Sequence, residues 1–264
     1  MAMNALEGQV AIVTGGGSGI GRSAALLLAA EGAQVVVAGR RRAPLDATVA
    51  EIDKAGGRAA ARVADVGKTT EATELARWTL DRYGRVDILV NNAGHSSRAR
   101  NVRWVSEAEW ESVVAVNLTA VYVLTRAVLP GMIARGGGTI ITVASLAALK
   151  SGLVGGAPYG AAKAGARNLM SHVHNVFRDQ GIRATTILPA EVDTPILDNR
   201  PRPPDAEGRA TMMQAEDVAR AILLCATLPP RTVVEEIVMS PTRTRDMAAE
   251  LEVARHLGSP QRPI

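Results

Sequence analysis

Aromatic side chains are scarce in this chain: three tryptophans, three tyrosines and one phenylalanine in 264 residues. The core is therefore built from Ala, Val, Leu and Ile, and an aromatic stacking platform for single-stranded nucleic acid is excluded. Cysteine is scarcer still. The single Cys225 excludes an intramolecular disulfide and any cysteine-based zinc site. It sits in an apolar helical run (221–228) and reads as a buried small hydrophobe. Lysine numbers four against 26 arginines, and the net charge is +4. Most of those arginines are interspersed with acids and no base-reading motif accompanies them, so no nucleic-acid partner is expected. No apolar stretch approaches the roughly 20 residues that span a bilayer, and none is expected to enter one. No N-terminal segment joins a basic start, an apolar run and a cleavage site, which points to the cytoplasm.

What the chain does have is a 47% share of hydrophobic residues, arranged as short β-branched runs alternating with amphipathic stretches. Strands are expected over 9–14, 34–38, 59–63, 86–90, 139–143, 182–188 and 233–239. Helices are expected over 20–31, 44–55, 69–83, 106–134, 157–179 and 217–228. Gly32 stands where a helix C-cap is wanted. Ser106 and Glu109 have capping-box spacing, with Trp104 and Trp110 anchoring the start of that long helix. The strands are almost unbroken in apolarity, which suits a parallel sheet buried on both faces. The fold class is thus α/β: a doubly wound, mostly parallel sheet of about seven strands (a Rossmann fold), forming one domain over 1–264. Ligands are expected at the carboxyl ends of its strands. One irregular, proline-rich stretch at about 194–213 reads as a substrate-loop insertion.

The first strand runs into Thr14-Gly15-Gly16-Gly17-Ser18-Gly19-Ile20-Gly21, and a helix starts at once. Glycines let the backbone approach a pyrophosphate, and the helix N-terminus offers free N–H groups and positive dipole. A dinucleotide cofactor is expected there. Sites for NAD usually place an acid at the end of the second strand to bind ribose hydroxyls. Here Gly39 is followed by Arg40, Arg41 and Arg42. An arginine grips a 2′-phosphate, and one unit-charge contact at 4 Å is worth about 4 kcal/mol at an effective dielectric near 20, before desolvation. NADP(H) is therefore preferred, with Arg40 the first contact and Arg41 the second, and NAD(H) remains possible. After the third strand Asp65-Val66 is placed to meet the adenine. After the fourth, Asn91-Asn92-Ala93-Gly94 forms a tight polar turn.

Tyr159 and Lys163 lie i, i+4 on an expected helix and project from one face. Such a pair is rare by chance with three tyrosines and four lysines in the chain. Ser145 follows the fifth strand, and Asn117 sits mid-way along the long helix, where a buried amide needs partners. Reducing a ketone needs a hydride donor and a proton donor. A free tyrosine titrates near 10, and lowering it by about 3 units takes about 4 kcal/mol of differential stabilisation. A neighbouring ammonium supplies part of that. His172 and His174 stand i, i+2 on a helix and point apart, so no metal site is expected.

Over nearly its whole length, from about residue 8 to 241, the sequence resembles the short-chain dehydrogenase/reductase family. The resemblance rests on TGGGSGIG (14–21), NNAG (91–94), Asn117, Ser145, YGAAK (159–163) and PAEVDT (189–194). It implies an oxidoreductase interconverting an alcohol and a ketone or aldehyde. Tyr159 would be the general acid/base, and Lys163 would hold the nicotinamide ribose and lower the tyrosine pKa. Ser145 would orient the substrate oxygen, and Asn117 would support a proton-relay water. Pro189, Val192 and Thr194 would hold the carboxamide, while Asn91, Ala93 and Gly94 line the cofactor cleft. The partners implied are a small carbonyl or alcohol substrate and further copies of this chain, in a homodimer or homotetramer through the outer helix faces.

Three departures bear on substrate. The 145–159 interval is one residue longer than common, Ala190 stands where a glycine is frequent, and the chain closes with EEIVMSPTRTRD (235–246) and a charged tail. That ending weakens an acyl-carrier reductase reading and is more similar to members acting on small hydroxy acids or aldehydes. The alternatives are an NAD-dependent alcohol or hydroxy-acid dehydrogenase and a non-catalytic cofactor-sensing regulator. Substrate selectivity is expected from about 95–103, 146–158 and 194–213. His95 edges the pocket or stays solvated, and Met212 and Met213 either face it or pack.

Overall fold

All seven expected strands form, and all are parallel: β1 (Val10–Thr14), β2 (Gln34–Gly39), β3 (Arg58–Val63), β4 (Ile88–Asn91), β5 (Gly138–Val143), β6 (Ile182–Pro189) and β9 (Glu236–Met239). The computed structural model describes residues 4–260, so 1–3 and 261–264 of the expected domain lie outside the described residues. The sheet order is β3-β2-β1-β4-β5-β6-β9. Strand order reverses between β1 and β4, which opens a crevice at their carboxyl ends.

Period-two alternation explains why the inner strands are buried on both sides, while the edge strands β3 and β9 keep exposed positions. Ala11, Val13, Val35, Val37, Ile88, Val90 and Ile141 face one core. Their neighbours Ile12, Val36, Leu89 and Ile140 face the other. The first core is closed by α1 (Gly19–Ala30), α2 (Arg42–Lys54) and α8 (Ala215–Thr227), with Cys225 buried in it as expected. The second is closed by α3 (Thr69–Tyr83), α5 (Ala120–Ala134) and α6 (Ala157–Phe177). At the amino end of the sheet, buried Asp87 accepts the Val10 amide at 2.9 Å and pairs with Arg85 at 2.8 Å.

Four features depart from the sequence expectations. The long helix is α4 (Glu107–Val114) and α5 joined by a π-turn at Ala115–Thr119, with Asn117 inside it. The capping box at its start is half formed. Ser106 Oγ accepts the Glu109 amide, whereas the Glu109 carboxylate accepts the amides of Arg98 and Ala99. Trp110 is exposed rather than an anchor, and Trp104 packs under the Arg103 guanidinium. Finally, the span Glu107–Ala134 is long and apolar enough by length and composition to cross a bilayer. In the fold, its inner stripe of Val121, Leu124, Val128 and Met132 is buried against the sheet.

The stretch at 194–213 is not structureless. Thr194 leads into a 3-10 turn at Pro195–Asn199, then a short α7 (Ala206–Ala210). Two-residue strands β7 (Val192–Asp193) and β8 (Met213–Gln214) pair in parallel and pin both ends of the insertion. Met212 and Met213 are buried, Met213 in the first core, so they pack. After β9 the chain adds α9 (Ala248–His256).

Gly181 turns the chain from α6 into β6 with φ +80, and a Cβ there would lie 2.1 Å from the Gly136 carbonyl oxygen. Gly181→Ala therefore combines a left-handed backbone with a backbone clash. The expected loss is at least about 2 kcal/mol of stability, read as a lower urea midpoint at unchanged slope.

Candidate active site

The glycine turn between β1 and α1 is shaped by close approach. A Cβ at Gly21 would meet the Gly15 carbonyl oxygen at 2.4 Å and Asn92 Nδ2 at 2.5 Å, so the turn folds tightly onto the β4 loop. Gly15 and Gly19 take φ +68 and +51, where a side chain is strained. Ser18 precedes α1 without its hydroxyl capping the helix. The first-turn amides are therefore left for a ligand.

Thr14 joins the two loops. Its hydroxyl accepts the amides of Asn92 and Ala93, both at 3.0 Å, and donates to Val90 O at 3.3 Å. Asn92 Nδ2 donates to Thr14 O at 2.9 Å.

A cleft of about 740 Å³ opens above this junction, the size of a small-molecule or cofactor site. Gly15, Ser18, Gly19, Ile20, Arg40, Arg41, Ala93 and Gly94 line one end. A side recess of about 190 Å³ adds Gly17, Asp65 and Val66. Arg42 is engaged with Asp46 at 2.8 Å. Arg40 and Arg41 have no ion pair among the described residues, and both are exposed at the cleft. The Gly-rich cradle, the uncapped helix start and the two free guanidiniums fit a dinucleotide with a phosphorylated ribose.

The residues that the resemblance marks for catalysis and the nicotinamide converge on the same cleft, since Ser145, Tyr159, Lys163, Pro189, Val192 and Thr194 line it. Lys163 Nζ donates to Val143 O at 2.7 Å, tying α6 to the end of β5. It lies 5.5 Å from the Tyr159 ring centroid. Burial pushes its ammonium down to about 8. Burial pushes the Tyr159 phenol up, opposed by the Ser145 hydroxyl and the charges of Arg100 and Arg200. Ser145 Oγ also accepts the Ala147 amide at 3.2 Å.

Asn117 is fully buried, and its Nδ2 donates to His95 O at 2.8 Å and Val113 O at 2.9 Å. Its Oδ1 has no partner among the described residues. A Cβ at Gly94 would lie 2.7 Å from that oxygen and 3.5 Å from Lys163 Nζ. Both polar atoms thus crowd the same bare glycine, and one of the two belongs to Asn117, the residue that the π-turn carries.

Thr14, Gly21, Asn91 and Asn117 stand behind the cleft wall rather than in it, whereas Asn92, absent from the expected contacts, lines it. His95 lines the cleft, with Nε2 3.0 Å from Ser112 Oγ. The far wall holds Ser96, Arg100, residues 146–147 and 150–155, and 195–197 with Asn199 and Arg200. The sequence reading missed the last contributor. Ser240, Pro241, Arg243, Thr244, Arg245, Met247 and Leu251 bring the C-terminal segment into the wall. Arg245 and Arg200 both pair with Glu191, at 2.8 and 2.7 Å, and with Glu250. Burial raises the Glu191 carboxyl, but the two guanidiniums outweigh it and hold it low. No local pattern links residues 191, 200, 245 and 250; only the fold brings them together.

Residues 9–204 match the family model for short chain dehydrogenases. The chain is 38% identical, over 86% of its length and 92% of the relative's, to a 3-oxoacyl-[acyl-carrier-protein] reductase of Synechocystis sp.. It is 34% identical, over 74% and 77%, to a cyclohexanol dehydrogenase of Acinetobacter sp.. Among solved structures, a metagenomic short-chain oxidoreductase in complex with NADP superposes with TM-score 0.79 at 34% identity, covering 90% of this chain and 100% of that one. A Brucella melitensis 3-ketoacyl-(acyl-carrier-protein) reductase complexed with NADH gives 0.81 at 29% identity, over 90% and 99%.

The buried ammonium has a consequence for stability. Between about pH 8 and its ordinary 10.5, the unfolded chain holds a proton on Lys163 that the folded chain lacks. The contribution of this group to stability therefore rises with pH across that window. Thermal melts of the wild type and Lys163→Met from pH 7.5 to 10 test the sign: the wild type should gain on the variant, by roughly 2–4 °C per kcal/mol.

Proposed function

The chain belongs to the short chain dehydrogenase family, and on that premise we propose that it interconverts a ketone or aldehyde and an alcohol, using NADP(H) in preference to NAD(H). One observation carries this reading: Ser145, Tyr159 and Lys163 line the same cleft as the glycine cradle and the free Arg40 and Arg41. A bound nicotinamide supplies or accepts the hydride. Gly15 to Gly21 and the start of α1 would hold the pyrophosphate, and Arg40 with Arg41 the 2′-phosphate. Asp65 and Val66 would meet the adenine, and Pro189, Val192 and Thr194 the carboxamide.

The protein's own groups manage the proton and the substrate oxygen. In reduction the Tyr159 O–H donates to the carbonyl oxygen as it becomes an alcohol; in oxidation the phenolate accepts that proton. Ser145 Oγ donates to the same oxygen and fixes its orientation. Burial holds Tyr159 as the protonated phenol in the resting site, the form that donates in reduction. Arg100 and Arg200 stabilise the phenolate left behind. Lys163, anchored to Val143 O, would hold the nicotinamide ribose, and Asn117 Oδ1 would complete a proton path beside Gly94. On this reading the enzyme works in the cytoplasm, and the exposed Trp110, Tyr122 and Val176 on α4 to α6 support an assembly of two or four copies through those outer faces.

NADPH oxidation against a panel of ketones, aldehydes and oxo acids tests this reading. Tyr159→Phe should lower kcat by about 10²-fold or more while NADPH affinity stays within about threefold, which is about 0.7 kcal/mol. Equal loss of both contradicts the role.

Cofactor choice is tested separately. Arg40→Asp should weaken NADPH binding by about tenfold or more, some 1.4 kcal/mol, and NADH binding by much less. Equal affinities for the two cofactors in the wild type would favour the NAD-dependent reading.

A further inference from the structure

Arg100 is a cation without a counter-ion. Its side chain belongs to a residue only 3% exposed, yet it pairs with no carboxylate among the described residues. Glu109, the acid whose charge reaches it, is engaged with the Arg98 and Ala99 amides instead. Nη1 donates to Val154 O at 3.1 Å and Gly155 O at 2.7 Å. Nε is buried with no partner, and no hydrogen bond from Nη2 is found among the described residues. Burying an ion without a counter-ion is costly, and guanidiniums are best satisfied by a bidentate carboxylate.

The place of Arg100 says where that carboxylate comes from. Arg100 lines the cleft with Ser145 and Tyr159, and its field acts on the phenol. The other guanidinium acting there, Arg200, is already offset by Glu191 and Glu250. Lys150 and Arg243 also line the cleft without an ion pair among the described residues, and Glu191 is the lining carboxylate, held between two arginines. The wall around Tyr159 therefore carries a surplus of positive charge. Cofactor phosphates do not account for it, because the glycine cradle and Arg40 serve those.

We propose that Arg100 anchors a carboxylate carried by the substrate, so that this enzyme selects oxo acids and the matching hydroxy acids over neutral carbonyl compounds. The proposal rests on the reductase reading above for the reaction itself. The two carbonyls on Nη1 give Arg100 a second task, holding the 152–156 segment against α6, where Ala157 N donates to Arg100 O at 3.0 Å. That clamp uses one edge of the guanidinium and leaves the charge unmatched.

Titration calorimetry on the NADP⁺-loaded protein, which has no hydride to give, with straight-chain 2-, 3- and 4-oxo acids and their methyl esters, separates the two tasks. For at least one carbonyl position the acid should bind tighter than its ester by about tenfold or more, about 1.4 kcal/mol. In Arg100→Gln that ratio should fall to about twofold or less, about 0.4 kcal/mol, and Arg100→Lys should keep an intermediate value. A wild-type ratio near one at every position overturns the proposal. So does a ratio that survives in Arg100→Gln, since a loop clamp alone would weaken acid and ester together. If Arg100→Gln does not fold, Arg100→Lys decides, and an unchanged ratio there overturns the proposal. NADPH oxidation with the same acids and esters, in a separate assay, keeps the readings apart. Selective acid binding without turnover supports the anchor and contradicts the reductase reading; equal turnover of acids and esters contradicts the anchor alone.

Discussion

The cleft depends on one buried hydroxyl. Thr14 ends β1 at the point where strand order reverses, and its Oγ gathers the amides of Asn92 and Ala93 while donating to Val90. Two crossovers that leave the sheet in opposite directions are thereby locked a few ångströms apart. The glycines follow from that closeness. At Gly21 and Gly15 a Cβ would strike Asn92, so side chains are excluded where the loops meet. The same crowding fixes where Gly94 passes Asn117 and Lys163. The proton-handling groups are thus set relative to the cradle by backbone packing, not by loop flexibility.

Charge is distributed along the cleft with a pattern. Arg40 and Arg41 stand free at one end, where an anionic cofactor would neutralise them. At the other end, Arg200 and Arg245 are matched by Glu191 and Glu250 in a half-buried network, which staples the C-terminal segment to the insertion after β6. Between them Arg100 is left unmatched beside Tyr159. Because its charge acts on the phenol, a substrate anion bound to it would damp that field and raise the tyrosine, leaving Arg200 and the Ser145 hydroxyl to stabilise the phenolate after donation. With the proposed anchor, substrate recognition and proton transfer would meet at one guanidinium.

Much of this was legible in the sequence. The five inner strands are buried on both faces, a pattern that parallel packing demands, and the strands expected from the near-unbroken apolar runs all form. Tyr159 and Lys163 read as a pair because helical spacing of four puts two side chains on one face. The glycine turn read as a cradle because it stands between a strand and a helix. The π-turn at Asn117 was not legible: the amide it carries bonds to His95 and Val113, and the first of these lies in a distant loop. Strands β7 and β8 are two residues each, too short for any periodicity.

Local spacing, then, determined the fold class, the cradle and the reacting pair, since each is set by contacts within a turn or two of chain. Tertiary structure alone decided which groups close the substrate end. Glu191, Arg200, Arg245 and Glu250 come from three separate segments, and Arg100 is buried by a loop more than fifty residues away. Whether a charge is paired or left bare depends on which segments the sheet brings together, and long-range packing of that kind leaves no periodic mark in the sequence.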